Sequence, residues 1–409
     1  MTNPSSLRAK AVLNIFRRSR FKLLMTGTST RNNIAEFFPQ LELAYNNSAN
    51  MISWCRTIYR YDRSNKKDGV EEGLHEYPNL NFGKPIPPYR KGFRLFSESL
   101  LPEKITVFGV AQRNQDIFNA DELSDILGRF VITRTFEEVS GKDIKRIHQI
   151  PVRFTDSERF VYRKAIEEFE KMRSNYFSST GNLRKDAMMR LIQQITLLLR
   201  ISAAPNTVHE YTGGTPAKIV KVLNMLDDMH DDIVAIGVRH KIVVNAYAEA
   251  IRERFPDRPL FVVTGSTTTL AARRKLRKTL RESKNGILLC TQQSLPSSVN
   301  FEFVDNVIIP ELHYNNSRMS QFYMRFIRYN STREKNIYFV TYLGSIESNQ
   351  MQMVLAKEKL NLFMRGQDTD LDDIYERFGV DYDLLSVLMS REMDENGKMY
   401  IKWGEQNIA

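Results

Sequence analysis

Residues 233–264, IVAIGVRHKIVVNAYAEAIRERFPDRPLFVVT, decide the fold class of this chain. Residues 233–238 and 260–264 are apolar runs of strand length, and residues 241–254 between them place apolar side chains at helical spacing. Strands that are apolar on both faces are typical of parallel sheets covered by helices on both sides. This stretch therefore predicts a strand–helix–strand unit of an α/β protein.

The same alternation continues on both sides of this unit. We predict further helices at residues 218–229, 270–282, 317–329 and 346–362, and further strands at residues 287–291, 307–309 and 337–342. Strands and helices that alternate along the chain in this way predict one parallel sheet with helices on both faces.

The first half of the chain is less regular. Residues 7–15 have helical spacing, and the apolar run 21–25, the turn at Thr26-Gly27-Thr28 and a helix near residues 34–43 predict a strand–helix fragment. Prolines and charged residues make residues 46–95 read as surface loops. Thr155 and Glu158 form a capping-box pattern at the start of a long helix, and another helix is predicted at residues 183–202.

Composition excludes several classes of protein. The chain is 42% apolar and 11% aromatic, which argues against disorder, and its net charge of +11 favours a polyanionic partner only weakly. Cys55 and Cys290 form no CxxC pair and no cluster with histidine, which argues against a disulfide framework and a structural zinc site. Without a long apolar run or a signal-like start, we expect a soluble intracellular protein in a reducing compartment.

The most specific pattern lies at residues 321–328, QFYMRFIR. Gln321, Arg325 and Arg328 stand at positions i, i+4 and i+7, so a helix would place them on one face. Two interpretations are open. The face is a solvated basic surface, or the two guanidinium groups meet the oxygens of a transferring phosphoryl group.

The neighbouring segments favour the second interpretation. Residues 321–328 resemble motif VI of the Swi/Snf-like DNA translocases of helicase superfamily two, a QxxxRxxR pattern. Residues 307–315, VIIPELHYN, resemble the strand, acidic residue, aromatic residue and asparagine that precede this motif in the family. Residues 345–347 resemble the family's Thr-Ile-Glu, and residues 23–33, LLMTGTSTRNN, resemble motif III.

Motifs IV and V resemble the family less completely. Residues 237–241 occupy the place of motif IV. Residues 288–291 and 299–301 resemble the two ends of motif V, but QQSLPSS at residues 292–298 stands where the family has a glycine-rich turn. Glycine allows a close backbone approach to phosphate, so the chain departs from the family where that approach would occur.

The resemblance implies a fold and a set of functional residues. It implies a RecA-like parallel-sheet motor lobe, the helicase C-terminal domain, at residues 215–365. The segments before and after that lobe would be a remnant of a first lobe at 1–45, an irregular insertion at 46–120, a helical inter-lobe region at 121–214 and a tail at 366–409. The resemblance implies that Arg325 and Arg328 are catalytic arginine fingers and that they bind ATP together with Gln321 and Asn300. It implies that Thr26, Gly27 and Thr28 couple nucleotide state to movement of the lobes. The residues that it implies for DNA binding are Thr291, Arg239, Lys241, Arg274 and Lys278.

A basic cluster at residues 273–281 has two interpretations. It is a solvated helix face, or it contacts the DNA backbone, because phosphate contacts supply most sequence-independent affinity.

Two elements of a complete motor are absent from the sequence. No GxxxxGK(S/T) loop occurs, and neither does the acidic box that holds Mg²⁺. We therefore expect the C-terminal part of an ATP-dependent DNA translocase, broken after motif II. A split gene, a fragment and a relict all remain open, and the divergence suits a viral or mobile-element member. ATP and Mg²⁺ would be bound mainly by a separate chain that carries the Walker A and B motifs.

Two functions compete. The chain is part of an enzyme that acts on double-stranded DNA, or it is a non-catalytic DNA-binding or regulatory relict of such a motor. The retained QxxxRxxR pattern favours the enzyme part, because a binding module has no need of two phosphate-facing arginines.

Overall fold

The computed structural model describes most of the chain. The described residues are 5–25, 37–45, 55–61, 74–84, 89–105, 111–113, 117–129, 131–132, 134, 136–142, 144–179, 181–265, 270–295, 299–313, 316–347, 392–393 and 399–400. They divide into two compact units, one before Arg134 and one from Arg134 onward.

The first unit is built from short helices and hairpins. Its elements are α1 Leu7–Phe16, α2 Phe38–Tyr45, β1 Thr57–Tyr61, β2 Leu74–Pro78, α3 Tyr89–Leu100, β3 Glu103–Ile105, β4 Ala111–Arg113 and α4 Ala120–Gly128. β1 pairs with β2 and β3 pairs with β4, both antiparallel. α1 begins at Ser6, whose hydroxyl accepts the backbone N–H of Ala9 at 3.1 Å. The core of this unit contains Phe38, Phe96 and Leu123, all almost fully buried.

The second unit is larger and has more regular structure. Its elements are α5 Phe136–Ser140, β5 Lys145–Val152, α6 Asp156–Ser178, α7 Gly181–Ala203, α8 Ala217–Asp228, β6 Val234–Val238, α9 Lys241–Arg254, β7 Leu260–Val263, α10 Leu270–Glu282, β8 Ile287–Thr291, β9 Asn306–Ile309, α11 Asn316–Tyr323, β10 Lys335–Tyr342, β11 Glu392–Met393 and β12 Met399–Tyr400. A short 3₁₀ turn, Pro205–Thr207, follows α7.

One parallel sheet organises the second unit. Its six strands run in the order β5-β10-β9-β6-β8-β7, and each neighbouring pair is parallel. Every residue of β6, β8 and β9 is buried, which explains their unbroken apolar sequences. Because all six strands run the same way, the loops after them meet at one edge of the sheet, called here the carboxyl edge.

The α/β prediction is confirmed. The helix at 241–254 and the strand at 287–291 have the predicted bounds, and the other elements predicted from residue 218 to residue 282 agree within a few residues. The capping box is confirmed as well: the carboxylate of Glu158 accepts the N–H of Thr155 at 2.7 Å, and the Thr155 hydroxyl accepts the N–H of Glu158 at 3.4 Å.

Four expectations were wrong in detail. Residues 145–152, within the segment expected to be helical, form β5 and extend the sheet along the full length of β10. The apolar run 21–25 forms no strand, and the first-unit helix after it spans Phe38–Tyr45. Residues 46–95 include the β1–β2 hairpin and the start of α3. The helix predicted at 317–329 ends at Tyr323.

Some predictions cannot be compared with the structure. Thr26, Gly27 and Thr28 lie outside the described residues, as do all of the tail except β11 and β12 and all of the closing helix except Ile346 and Glu347. The five-segment division of the chain stays a prediction. Among the described residues, no helix is long and apolar enough to cross a membrane.

Candidate functional site

Arg325 and Arg328 follow α11 in a tight turn. The α-helical bonding pattern ends here, and the N–H of Arg325 bonds the carbonyl of Phe322 at 3.1 Å, which is the three-residue spacing of a 3₁₀ turn. The carbonyl of Arg325 accepts the N–H of Phe301 at 3.1 Å, a partner from another loop. The two arginines therefore do not share a helix face. A tertiary hydrogen bond from Phe301 holds the backbone of Arg325, and the backbone N–H of Arg328 donates locally to the hydroxyl of Ser331 at 3.0 Å.

The two arginines nevertheless lie close together. Burial lowers the pKa of Arg325, and the positive charge of Arg328 lowers it further. The Nε atoms of both side chains are buried without a hydrogen-bond partner among the described residues. Two half-buried guanidinium groups that repel one another are the setting in which an anion is stabilised, because it would neutralise both charges.

Aromatic packing fixes the backbone that carries these arginines. Phe322 and Phe326 meet edge to face with their ring centroids 5.4 Å apart, and Phe326 also lies 6.1 Å from Phe301. All three rings are fully buried. Arg325 lies between Phe322 and Phe326 in the sequence, so its backbone is anchored on both sides.

Glu311 holds the start of α9. Its side chain follows β9, is almost fully buried, and accepts the backbone N–H groups of Arg239 at 2.6 Å and of His240 at 3.1 Å. The imidazole of His240 is also paired with it, with Nδ1 2.5 Å from Glu311 Oε1. A carboxylate at a helix N-terminus stabilises the helix dipole. Arg239 and Lys241, predicted to contact DNA, therefore flank a position that a protein carboxylate already occupies.

Gln292 fills the loop after β8, where the family has glycine. Its N–H bonds the carbonyl of Val238 at 2.8 Å. Its side-chain Nε2 donates to the carbonyls of Gly237 at 3.2 Å and Glu311 at 2.7 Å. The hydroxyl of Thr291, another predicted DNA contact, is buried and bonded to Ser294. The side chains of this loop thus bind the ends of β6 and β9.

A buried polar network lies at the other half of the carboxyl edge. Lys218 Nζ bonds both carboxylate oxygens of Glu347, at 2.7 and 2.6 Å, and the carbonyl of Pro310 at 3.1 Å. Next to this pair, Glu158 accepts the hydroxyl of Tyr342 at 2.8 Å and the N–H of Ala217 at 2.6 Å. The network joins the loops after β5, β9 and β10.

Most of this network was not predicted from the sequence. Glu158 was expected as a helix cap and Glu347 as part of a motif, but Lys218 had no predicted role. The apolar neighbours of Lys218 in α8 predict a buried helix face, and a lysine on such a face requires a buried acidic partner. This pattern could have predicted that Lys218 is buried and paired, although it does not identify Glu347 as the partner.

The basic side chains of α10 are of two kinds, one bonded to the protein and the other exposed to solvent. Arg277 donates to the carbonyl of Asn300 at 2.7 Å and pairs with Glu302. Arg274 and Lys278 are exposed, and the ion pair that Lys278 forms among the described residues is a long one, 3.8 Å from Glu282. Arg277 therefore has a structural role, whereas Arg274 and Lys278 are accessible to a ligand.

The described residues fit only part of a nucleotide site. Arg325 and Arg328 suit the oxygens of a phosphate group, and Asn300 is adjacent to Phe301, which bonds Arg325. Gln321 lies one turn earlier and is exposed. No group of three Asp, Glu, His or Cys side chains that could hold a metal ion occurs within the described ranges. The two guanidinium groups are thus chemically suited to an anion.

Comparison with known proteins gives similarity in structure alone. No protein-family model and no curated protein sequence matches the chain. Among solved structures, the chain is similar to the C-terminal part of the Fun30 ATPase domain, with 15% identity, a TM-score of 0.41, and coverage of 60% of this chain and 95% of that one.

Two Sulfolobus solfataricus structures are similar to a comparable degree. The SWI2/SNF2 ATPase core in complex with double-stranded DNA has 15% identity and a TM-score of 0.44, covering 64% of this chain and 56% of that one. The SWI2/SNF2 ATPase C-terminal domain has 11% identity and a TM-score of 0.42, covering 58% and 99%. At such identities and TM-scores, these similarities do not establish a function.

Proposed function

We propose that the second unit is the second, RecA-like motor lobe of a Swi/Snf-type DNA translocase. The observation that carries this proposal is the pair Arg325 and Arg328, held together at the end of α11 with both Nε atoms buried and unpartnered among the described residues. In this proposal their guanidinium groups neutralise the charge that develops on a transferring phosphoryl group. Their planar, bidentate geometry suits that task.

The rest of the ATP site comes from elsewhere in this proposal. No GxxxxGK(S/T) loop occurs in the 409-residue sequence, and the described residues offer no metal-binding carboxylate cluster. A separate chain would supply the loop that grips ATP and the carboxylates that hold Mg²⁺. Within the assembled site, Arg325 and Arg328 would approach the terminal phosphate, Asn300 and Gln321 would lie beside it, and Thr26, Gly27 and Thr28 would couple nucleotide state to lobe movement.

Duplex DNA is the proposed second ligand. The net charge of +11 supplies a general attraction, and the exposed Arg274 and Lys278 on α10 supply specific phosphate contacts. Arg239 and Lys241, at the start of α9, would add to them. Thr291 is the weakest member of the predicted set, because its hydroxyl is buried and bonded to Ser294.

The alternative is a binding module without turnover. Gln292 favours it, because a side chain that bonds the ends of β6 and β9 fills the loop at which the family's glycines approach phosphate. The two functions differ in one assay. A chain with the Walker A and B motifs, such as the product of an adjacent reading frame, is mixed with this chain, ATP and Mg²⁺, with and without duplex DNA. DNA-stimulated hydrolysis by the pair, absent from either chain alone, supports the motor, and a pair that assembles on DNA without hydrolysis supports the binding module.

A further inference from the structure

Lys218 is a buried lysine with every donor in use. Its side chain is 0% exposed, and its ammonium group bonds both oxygens of Glu347 and the carbonyl of Pro310. The ammonium also lies 4.8 Å from the centre of the Tyr342 ring. An ammonium has three donors, so these bonds and the aromatic face satisfy it completely.

One side of Lys218 fixes the turn after β10. Glu347, which it pairs with, also accepts the N–H of Tyr342 at 2.9 Å. The hydroxyl of Ser345 closes the same turn by donating to the carbonyl of Tyr342 at 2.9 Å. Glu347 therefore links Lys218 to the last residue of β10.

The other side of Lys218 fixes the loop after β9. The carbonyl of Pro310 that it bonds belongs to the peptide unit from which Glu311 begins. Glu311 in turn accepts the N–H groups of Arg239 and His240, and its own carbonyl accepts Gln292. A single lysine thus lies between the end of β10 and the hydrogen bonds that hold the ends of β6 and β8.

A need for stability alone does not account for this arrangement. Taking two charges out of water costs several kcal/mol for each ion, and an apolar pair of similar volume is often as stable. A charged pair differs from an apolar pair in being directional. The hydrogen bond from Lys218 fixes the position of the Pro310 carbonyl, whereas contact with an apolar side chain would leave that position variable.

We propose that Lys218 is a positioning residue that sets the loop after β9 against the ends of β6 and β8, by holding Pro310 and Glu347 at once. α11 begins at Asn316, five positions after Glu311, so a fixed Glu311 would limit where Gln321 and Arg325 can lie. That last consequence rests on the proposed function, whereas the placement of Glu311 does not.

Hydrogen–deuterium exchange on the full chain tests the proposal without ATP, DNA or a partner. The variant is Lys218→Met with Glu347→Met, which removes both charges and leaves unbranched apolar side chains of similar length. We expect cooperative unfolding to be retained. We also expect the backbone amides of Arg239 and His240, which bond Glu311, to exchange roughly tenfold faster or more under native conditions, as local openings do when a constraint is lost.

Lys335 provides a matched control. It is also a buried lysine, and its ammonium bonds Asp305 and the carbonyls of Glu302 and Val304 at the opposite end of β10. Lys335→Met should lower global stability and leave the local exchange of the Arg239 and His240 amides unchanged.

Two outcomes overturn the proposal. In one, exchange changes only at Tyr342, whose N–H bonds Glu347 directly, while Arg239 and His240 keep their protection. In the other, the double variant does not fold, because the pair would then serve folding and not the placement of Glu311. Failure in either way leaves the proposed function standing, since that function is tested by ATP hydrolysis.

Discussion

The ring of Phe322 lies directly against Gly237, so closely that a Cβ added to Gly237 would stand 2.3 Å from Phe322 Cε1. Gly237 lies in β6, and Phe322 lies in α11, one turn before Arg325. The absence of a side chain at Gly237 therefore allows α11 to rest on the sheet. The position of the arginine turn depends on this contact between helix and strand.

Replacing Gly237 with alanine should displace Phe322 and destabilise the second unit. Overpacking in a well-filled core costs about 1–3 kcal/mol, and we expect Gly237→Ala to fall in that range in urea unfolding. Gly214→Ala is the control, because a Cβ there meets nothing within 4 Å. In the double variant Gly237→Ala with Phe322→Leu, part of the loss should return. Equal stability of the two glycine variants would mean that α11 does not depend on this contact.

Glu158→Gln should destabilise the unit although it changes few atoms. The carboxylate accepts from Thr155, Ala217 and Tyr342, and an amide would turn a donor toward at least one of these donors. Losing a hydrogen bond to a charged group costs about 1.5–3 kcal/mol. Glu167→Gln, an exposed position on the same helix, should change little. The measurement is the free energy of unfolding in urea, and a cost no larger than that of Glu167→Gln would contradict the network.

The free chain should bind duplex DNA through α10. Arg274→Ala and Lys278→Ala should each weaken binding for all sequences alike and reduce the slope of log affinity against log salt by about one. Arg277→Ala should instead reduce stability, because Arg277 is bonded to Asn300 and Glu302. Fluorescence anisotropy between about 50 and 200 mM salt measures the DNA affinity and its salt slope. If neither Arg274→Ala nor Lys278→Ala changes the affinity or the slope, α10 is a solvated surface.

The chain alone should hydrolyse no ATP above background. Without the lysine and the Mg²⁺ ligands that neutralise the triphosphate, Arg325 and Arg328 have no positioned substrate. Phosphate release from purified chain, DNA, Mg²⁺ and ATP should equal that of the Arg325→Ala variant. Release that follows the wild-type chain through successive columns and disappears in that variant would show a complete active site in this chain.

The regular part of the fold was predictable because its local signals agree. In β6, β8 and α9, periodicity, length and turn residues all indicate the same element. β5 was missed because its sequence, KRIHQIPV, mixes charged and apolar residues and contains Pro151. It is an edge strand, and pairing with β10 forms it despite that local sequence.

The candidate site residues come from a sequence pattern and stay a prediction, but their geometry could not be predicted from that pattern. The spacing of Gln321, Arg325 and Arg328 predicted a helix face, but the helix ends before Arg325, whose N–H bonds Phe322 and whose carbonyl accepts the N–H of Phe301. Lys218 and Glu347 are 129 positions apart, and no local pattern reports a contact of that separation. Long-range hydrogen bonds therefore decided what the sequence left open.

The most direct test of the proposed function is the turnover of the reconstituted pair with Arg325→Ala and Arg328→Ala. Each variant should keep the DNA affinity of the free chain and lower the kcat of DNA-stimulated ATP hydrolysis by about 10³ or more, as loss of an arginine finger does. Arg325→Lys and Arg328→Lys should restore little, because a point charge does not reproduce the planar guanidinium fork. Arg274→Ala and Lys278→Ala, assayed beside them at saturating DNA, should retain near-normal kcat. Near-normal turnover in both arginine variants, or an equal loss in all four alanine variants, would contradict the account.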